Sequence, residues 1–315
     1  MPSECRSTPL LTYDDNVSRL TWAAALEELR QGHLLPKPQL GDLILGPAGA
    51  SILNRAAFIE GLGYAVKAET VFAENAARGR PSVQGSVLLF DAETGSVRAI
   101  IESKLVTEYK TAGDSVLGAK LLARPDSRHL VIVGAGSVAR SLVRAYSTVF
   151  PSLDRISIWA RRPEQAEALV SALGQVGIDV AVAFDLKTAV QGADIVSSAT
   201  MAREPILLGN WVQPGTHIDL IGGFTSDMRE ADDELIAKAQ VFVDCRETTI
   251  DVVGDLTQPI AAGVVTRDHV IGDLYDLAAS LASLRASEAS ITVFKNGGGA
   301  HLDLMIAAYI ARVAL

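Results

Sequence analysis

Cysteine is nearly absent from this chain: Cys5 and Cys245 are the only two in 315 residues, far apart and in no metal-ligand spacing. That argues against a disulfide framework or a structural zinc site, and it suits a reducing, cytoplasmic setting. Histidine is scarce as well, with five residues in no paired spacing, so no metal centre is expected. Long hydrophobic runs are missing: no stretch approaches the roughly 18 apolar residues of a membrane span, and the opening MPSECRSTPLLTYDD carries acids where a secretory leader needs an apolar core. Positive charge is in deficit, 28 basic against 37 acidic side chains for a formal charge of −9, and no basic stripe is interleaved with aromatics. Nucleic acid and anionic membrane are therefore not expected partners. There is no internal repeat, and the length suits two domains.

What is present is a strand-turn-helix signature, HLVIVGAGSVARSLVRAY, at residues 129 to 146. An apolar β-branched run ends in Gly134-Ala135-Gly136-Ser137-Val138-Ala139 and becomes a helix. Gly134 permits the tight turn, Gly136 lets backbone approach a pyrophosphate, and small Ala139 allows close packing, with the N–H groups of Ser137 and Val138 in the first turn facing the phosphates. Alternating strands and helices follow: RISIW (155 to 159), a helix from Pro163 to about Val176, DVAVAF near 180, ADIVSSAT (193 to 200), THIDLIG (216 to 222) and AQVFVDC (239 to 245). This order predicts a doubly wound parallel sheet of the Rossmann type over roughly residues 125 to 290, hence an α/β fold. Thr200 and Gly222, at the ends of two of these strands, join the cofactor-binding candidates.

The end of the second strand selects the cofactor. Trp159-Ala160-Arg161-Arg162-Pro163 has no carboxylate to accept ribose hydroxyls, whereas the guanidinium groups of Arg161 and Arg162 match a 2′-phosphate. NADPH is expected, with NADH as the alternative.

Before residue 125 the pattern alternates instead of running continuously apolar, as in GYAVKAETVF (63 to 72) and the hairpin SVLLFDAETGSVRAII (86 to 101) turning at Asp91 to Gly95. This predicts an antiparallel α+β domain with one polar face, at 1–124, ahead of a cofactor domain at 125–299, with Pro125 as the hinge. Period-two geometry puts Lys67 and Glu69 on one face of a strand. On the helix spanning Lys104 to Ala123, Lys110 and Asp114 share a face beside Thr111.

The segments Ala65-Val66-Lys67, Glu74 through Gly85, Tyr109-Lys110-Thr111-Ala112-Gly113-Asp114-Ser115, the Gly134 turn, and Thr292 through Gly299 occur together and in order. In these the chain resembles the ornithine cyclodeaminase and mu-crystallin family over nearly its whole length. The resemblance implies homodimers pairing through the N-terminal sheet domain, with a C-terminal helix at 300–315 returning to that domain. It implies substrates with a carboxylate next to an amine, imine or ketone carbon, Lys67 as the residue that contacts substrate and moves protons, and Lys110 and Lys37 in places where members carry carboxylate-binding arginines. Cyclodeaminases carry an aspartate shortly after a Gly-Gly or Gly-Ser pair; here Gly222-Gly223 is followed by Phe224, which accepts no proton. The Gly-Gly-Phe-Thr stretch resembles the subgroup that reduces cyclic α-imino acids.

The expected activity is therefore NADPH-dependent reduction of Δ1-pyrroline-2-carboxylate or Δ1-piperideine-2-carboxylate to proline or pipecolate. Lys67 serves as proton donor with Glu69 setting its charge state, Lys110 and Lys37 hold the carboxylate, Thr111 and Asp114 line the pocket, and Phe224 shapes an apolar wall. The alternatives are an ornithine or lysine cyclodeaminase with bound NAD, a reductase of acyclic imino acids such as iminosuccinate, and a non-enzymatic NADPH-binding crystallin-like protein. Asp303 is as compatible with a helix-start charge as with a site, and it receives no catalytic role.

Overall fold

The structure, a computed structural model, describes residues 8–47 and 49–315; Cys5 lies outside them. The strands are β1 (Leu10–Leu11), β2 (Gln39–Leu45), β3 (Ala50–Ile59), β4 (Gly63–Phe72), β5 (Val83–Phe90), β6 (Val97–Glu102), β7 (His129–Val133), β8 (Arg155–Trp159), β9 (Asp179–Val182), β10 (Ile195–Ser198), β11 (His217–Leu220), β12 (Gln240–Val243), β13 (Val270–Asp273) and β14 (Thr292–Lys295). The longer helices are α1 (Trp22–Gly32), α2 (Ser103–Leu122), α3 (Ser137–Val149), α4 (Pro163–Leu173) and α5 (Ala300–Ala314).

The chain separates into two compact units, residues up to Lys110 together with Gly299–Leu315, and Thr111–Gly298. The division falls inside α2, ahead of the Pro125 turn where the sequence pattern places it. The second half of α2 explains this: Gly118 lies so close to the ring of Phe294 on β14 that a Cβ there would sit 2.6 Å from it, which ties that half to the second unit.

The first unit holds a sheet in the order β1-β6-β5-β4-β3-β2, antiparallel except for the β1–β6 pair. Its β5–β6 hairpin turns where the sequence indicates. The Asp91 carboxylate accepts from the backbone N–H groups of Glu93 (3.2 Å) and Thr94 (2.8 Å), and Gly95 supplies the positive φ of 69°. Ala57, Ile59, Ala65, Val87, Leu89, Ala99 and Ile101 are buried, and α5 packs across β3, β4 and β5. A helix buried over nearly its whole length, as α5 is, can afford to be apolar all round.

The shared face of Lys67 and Glu69 turns out to be the covered one. On β4 the buried face carries Lys67 and Glu69, while Tyr64, Val66 and Ala68 occupy the more accessible face. The sheet's outward face is thus largely apolar, with Leu43, Leu45 and Tyr64 exposed on it. Buried charges are tolerated only when paired, so they mark a site.

The second unit is an eight-stranded parallel sheet ordered β13-β12-β14-β11-β10-β7-β8-β9. Leu130, Val131, Ile132 and Val133 are fully buried, as expected of strands covered on both faces. Helix α4 stops at Leu173, short of Val176, because Gly174 takes φ 66° and ends it. Among the described residues no helix is long and apolar enough to cross a membrane.

Candidate active site

The dinucleotide turn forms at the carboxyl end of β7. Gly134 has φ 120°, and a Cβ there would sit 2.6 Å from the Ala199 carbonyl, so only glycine fits. Nothing lies within 4 Å of where a Cβ of Gly136 would be, and that residue caps α3 without any side-chain hydrogen bond. The first N–H groups of α3, at exposed Ser137 and partly buried Val138, are thus left for an anion, while fully buried Ala139 packs the helix down. A cavity of about 340 Å³ opens here, lined by Gly134, Gly136, Trp159, Ala160, Arg161 and Thr200 among others. Its geometry suits the adenosine and pyrophosphate of a dinucleotide.

Arg161 lines this cavity, and Arg162 caps the start of α4. Both are exposed. Gly222 is buried just past β11 with Phe224, 51% exposed, two residues on.

In the first unit, strand pairing and α5 build a buried charge cluster. Lys67 is 4% exposed; its Nζ lies 3.1 Å from Asp303 Oδ1 and 3.4 Å from Glu69 Oε2. Lys110 Nζ lies 3.6 Å from the same Asp303 oxygen. Thr107 Oγ1 donates to Glu69 at 3.4 Å. Burial pushes the Lys110 ammonium down to about 8, opposed by Asp303 and reinforced by the neighbouring Lys67 and Arg55 charges. Burial raises the Asp303 carboxyl, but Lys110 and Lys67 outweigh it and hold the group below its ordinary value.

Two members of this cluster escape sequence reasoning. Asp303 is 1% exposed and sits between the two lysines. The signal for it was an acid inside an otherwise apolar helix, which must find a cation. Arg55, on β3, pairs in register with Lys67 and makes a 3.0 Å ion pair with Asp42. The tight turn between Ile59 and Gly63 fixes that register, so counting back across it would have found Arg55. Lys37, by contrast, is exposed in the segment leading into β2. Thr111 is partly buried with its carbonyl accepting from Asn296 Nδ2 at 3.1 Å, and Asp114 is fully buried. No group of three or more His, Cys, Asp or Glu among the described residues is arranged for a metal.

A left-handed glycine turn feeding an uncapped helix in a parallel sheet, together with a separate unit carrying a buried lysine–aspartate cluster, defines a Rossmann-type dinucleotide-binding protein with a second, charged centre. The chain belongs to the ornithine cyclodeaminase/mu-crystallin family, whose profile matches residues 56–314. It is 59% identical over 313 residues, 99% of each chain, to the Delta(1)-pyrroline-2-carboxylate reductase of Paracoccus denitrificans. Among solved structures, the Delta(1)-pyrroline-2-carboxylate reductase of Thermococcus litoralis in complex with NADH and L-proline superposes with a TM-score of 0.91 at 29% identity, covering 98% of this chain and 97% of that one. An archaeal alanine dehydrogenase dimer with bound NAD superposes with a TM-score of 0.90 at 25% identity, covering 98% and 96%.

Proposed function

We propose that this chain reduces a cyclic α-imino carboxylate, Δ1-pyrroline-2-carboxylate or its six-membered homologue, to the L-amino acid with NADPH. The observation that carries the reading is the buried Lys67 ammonium held between Asp303 and Glu69, a proton donor on a rigid strand. The reductases named above, similar over almost the entire chain, support it.

When bound, the reduced nicotinamide supplies a hydride to the imine carbon. Lys67 gives a proton to the imine nitrogen, which raises the carbon's electrophilicity, and recovers it from water after turnover. Lys110 and Arg55 offer charge-assisted donors to the substrate carboxylate; Arg55 supplies a planar fork that Lys110 lacks. Phe224 stands where ring closure with ammonia loss would need a base and offers none. Purified protein is therefore expected to consume NADPH stoichiometrically as proline forms from pyrroline-2-carboxylate, and to release no ammonia from ornithine with NAD. Ammonia release from ornithine would overturn the assignment.

The preference for NADPH rests on two exposed guanidinium groups, Arg161 lining the cavity and Arg162 at the start of α4. Replacing both by alanine is expected to cost about 1.5 to 3 kcal/mol in NADPH binding, roughly tenfold to a hundredfold, with NADH binding unchanged. Equal efficiencies of the two cofactors in the unmodified protein would refute this.

The apolar outward sheet face, with Leu43, Leu45 and Tyr64 exposed, supports homodimer formation through the first unit. The dimeric archaeal relative is consistent with that. A monomer in sedimentation at micromolar concentration would remove this part of the proposal.

A further inference from the structure

We propose that Glu230 is a positioning residue for the dinucleotide, fixing the two strand-end loops that carry Thr200 and Gly222; this rests on the reading that a nicotinamide dinucleotide binds at the Gly134 turn. Glu230 is fully buried in the segment that follows β11. Its Oε1 accepts from Ser198 Oγ (2.7 Å), the Thr200 N–H (2.8 Å) and Thr200 Oγ1 (2.7 Å), and its Oε2 accepts from the Gly222 N–H (2.7 Å). Ser198 ends β10, and Gly222 lies just past β11, its parallel neighbour. One carboxylate thus staples together two adjacent strand ends at the edge of the sheet where ligands bind in this fold. Thr200 itself lines the cavity beside Gly134 and Gly136.

The staple is held from behind. The backbone N–H groups of Glu230 and Ala231 both donate to Asp255 Oδ1, at 2.8 and 3.0 Å. Asp255 Oδ2 lies 3.7 Å from Lys295 Nζ, which donates to the Leu220 carbonyl at 3.1 Å. All three side chains are fully buried. There is no slack in front either: a Cβ on Gly222 would sit 2.0 Å from the Thr200 carbonyl and 2.6 Å from Glu230 Oε1, and one on Gly223 would sit 2.5 Å from Asp255 Oδ2. The backbone at Thr200 and Gly222 therefore has one position, set by a group that does not line the cavity.

Four donors converge on one side chain, which only an acceptor-only carboxylate satisfies. Glutamine has nearly the same shape but must turn an NH₂ toward either the Gly222 N–H or the Ser198 and Thr200 donors, placing donor against donor. Glu230→Gln therefore tests the staple while keeping the packing.

Titration of purified protein with NADPH and with NADH, followed by calorimetry, is set beside thermal unfolding without cofactor. The expected result is saturable NADPH binding by the unmodified protein, and a dissociation constant raised about tenfold or more in Glu230→Gln at a temperature where the variant is fully folded, alongside the lower unfolding temperature that opposed buried donors produce. In steady state the KM for NADPH should rise far more than kcat at saturating cofactor falls. Equal dissociation constants would overturn the proposal, and so would a lower unfolding temperature with unchanged affinity, since that is what a purely structural role produces. Should Glu230→Gln not fold, Ser198→Ala removes one of the four bonds without changing charge; it is expected to weaken NADPH binding measurably, and unchanged binding overturns the proposal. Failure of the unmodified protein to bind either dinucleotide would overturn the cofactor reading and this inference with it, whereas normal binding by both proteins overturns this inference alone.

Discussion

Lys67→Met is expected to lower kcat/KM for the imine by about 10² to 10⁴, the usual contribution of a positioned general acid, while NADPH binding stays intact. Methionine fills much the same space and has no proton to give. Because Lys67 is buried against Asp303 and Glu69, its loss also leaves acids under-paired, so activity has to be compared on folded protein, with circular dichroism as the control. Lys67→Arg separates the two effects: it keeps the positive charge, hence the fold, but guanidinium does not release a proton near neutral pH and turnover should remain low. Full imine reduction by the methionine variant would end the assignment of Lys67 as proton donor.

The largest expected loss of stability is from Asp303→Asn. It leaves Lys67 and Lys110 buried near each other with their shared anion removed, and breaking a buried pair from one side costs about 3 to 5 kcal/mol. The pH dependence has a definite sign. Burial holds folded Lys110 at about 8, below the 10.5 of an unfolded lysine, so between those values the unfolded chain binds the extra proton and stability gains with rising pH. In the variant the opposing pull of Asp303 is gone, the folded value falls further, and that gain begins at lower pH. The Asp303 term has the same sign in a more acid window: its carboxyl is held below 3.8, so it stabilises above that value and the benefit is lost as pH falls through the folded one. On the proposed role of Lys110 in holding the substrate carboxylate, KM for the imine should climb above about pH 8 in the unmodified protein and at lower pH in Asp303→Asn. Urea unfolding from pH 6 to 10, with KM over the same range, checks both. A variant as stable as its parent, with a superposable KM profile, would contradict the shared-anion role.

Much of the parallel sheet was legible because central strands such as β7 are apolar runs buried at every position, and RISIW coincides with β8 residue for residue. The face shared by Lys67 and Glu69 followed from period two alone. That this face points inward did not follow: alternation reports two faces without saying which is covered, and polar residues are usually outside. Asp303 and Arg55 were missed for a different reason. Their roles depend on pairing between distant segments, and single-sequence spacing carries no information on which helix closes over which sheet. Glu230 was invisible for the same reason, its four donors arriving from the ends of two neighbouring strands.

The first unit is assembled from both ends of the chain. Its sheet precedes the second unit in the sequence, but the helix that covers the sheet and supplies Asp303 follows it. The second unit is contiguous, so everything it needs exists once Gly298 has been added. During synthesis the order of completion is therefore the reverse of the order of appearance: the sheet that emerges first waits longest, with Ala65, Val87 and Leu89 uncovered and two lysines lacking their counter-charge. A nascent chain released before α5 keeps every residue of the nucleotide-binding half but presents a bare apolar sheet with strand edges, the kind of surface that quality-control machinery and self-association both recognise.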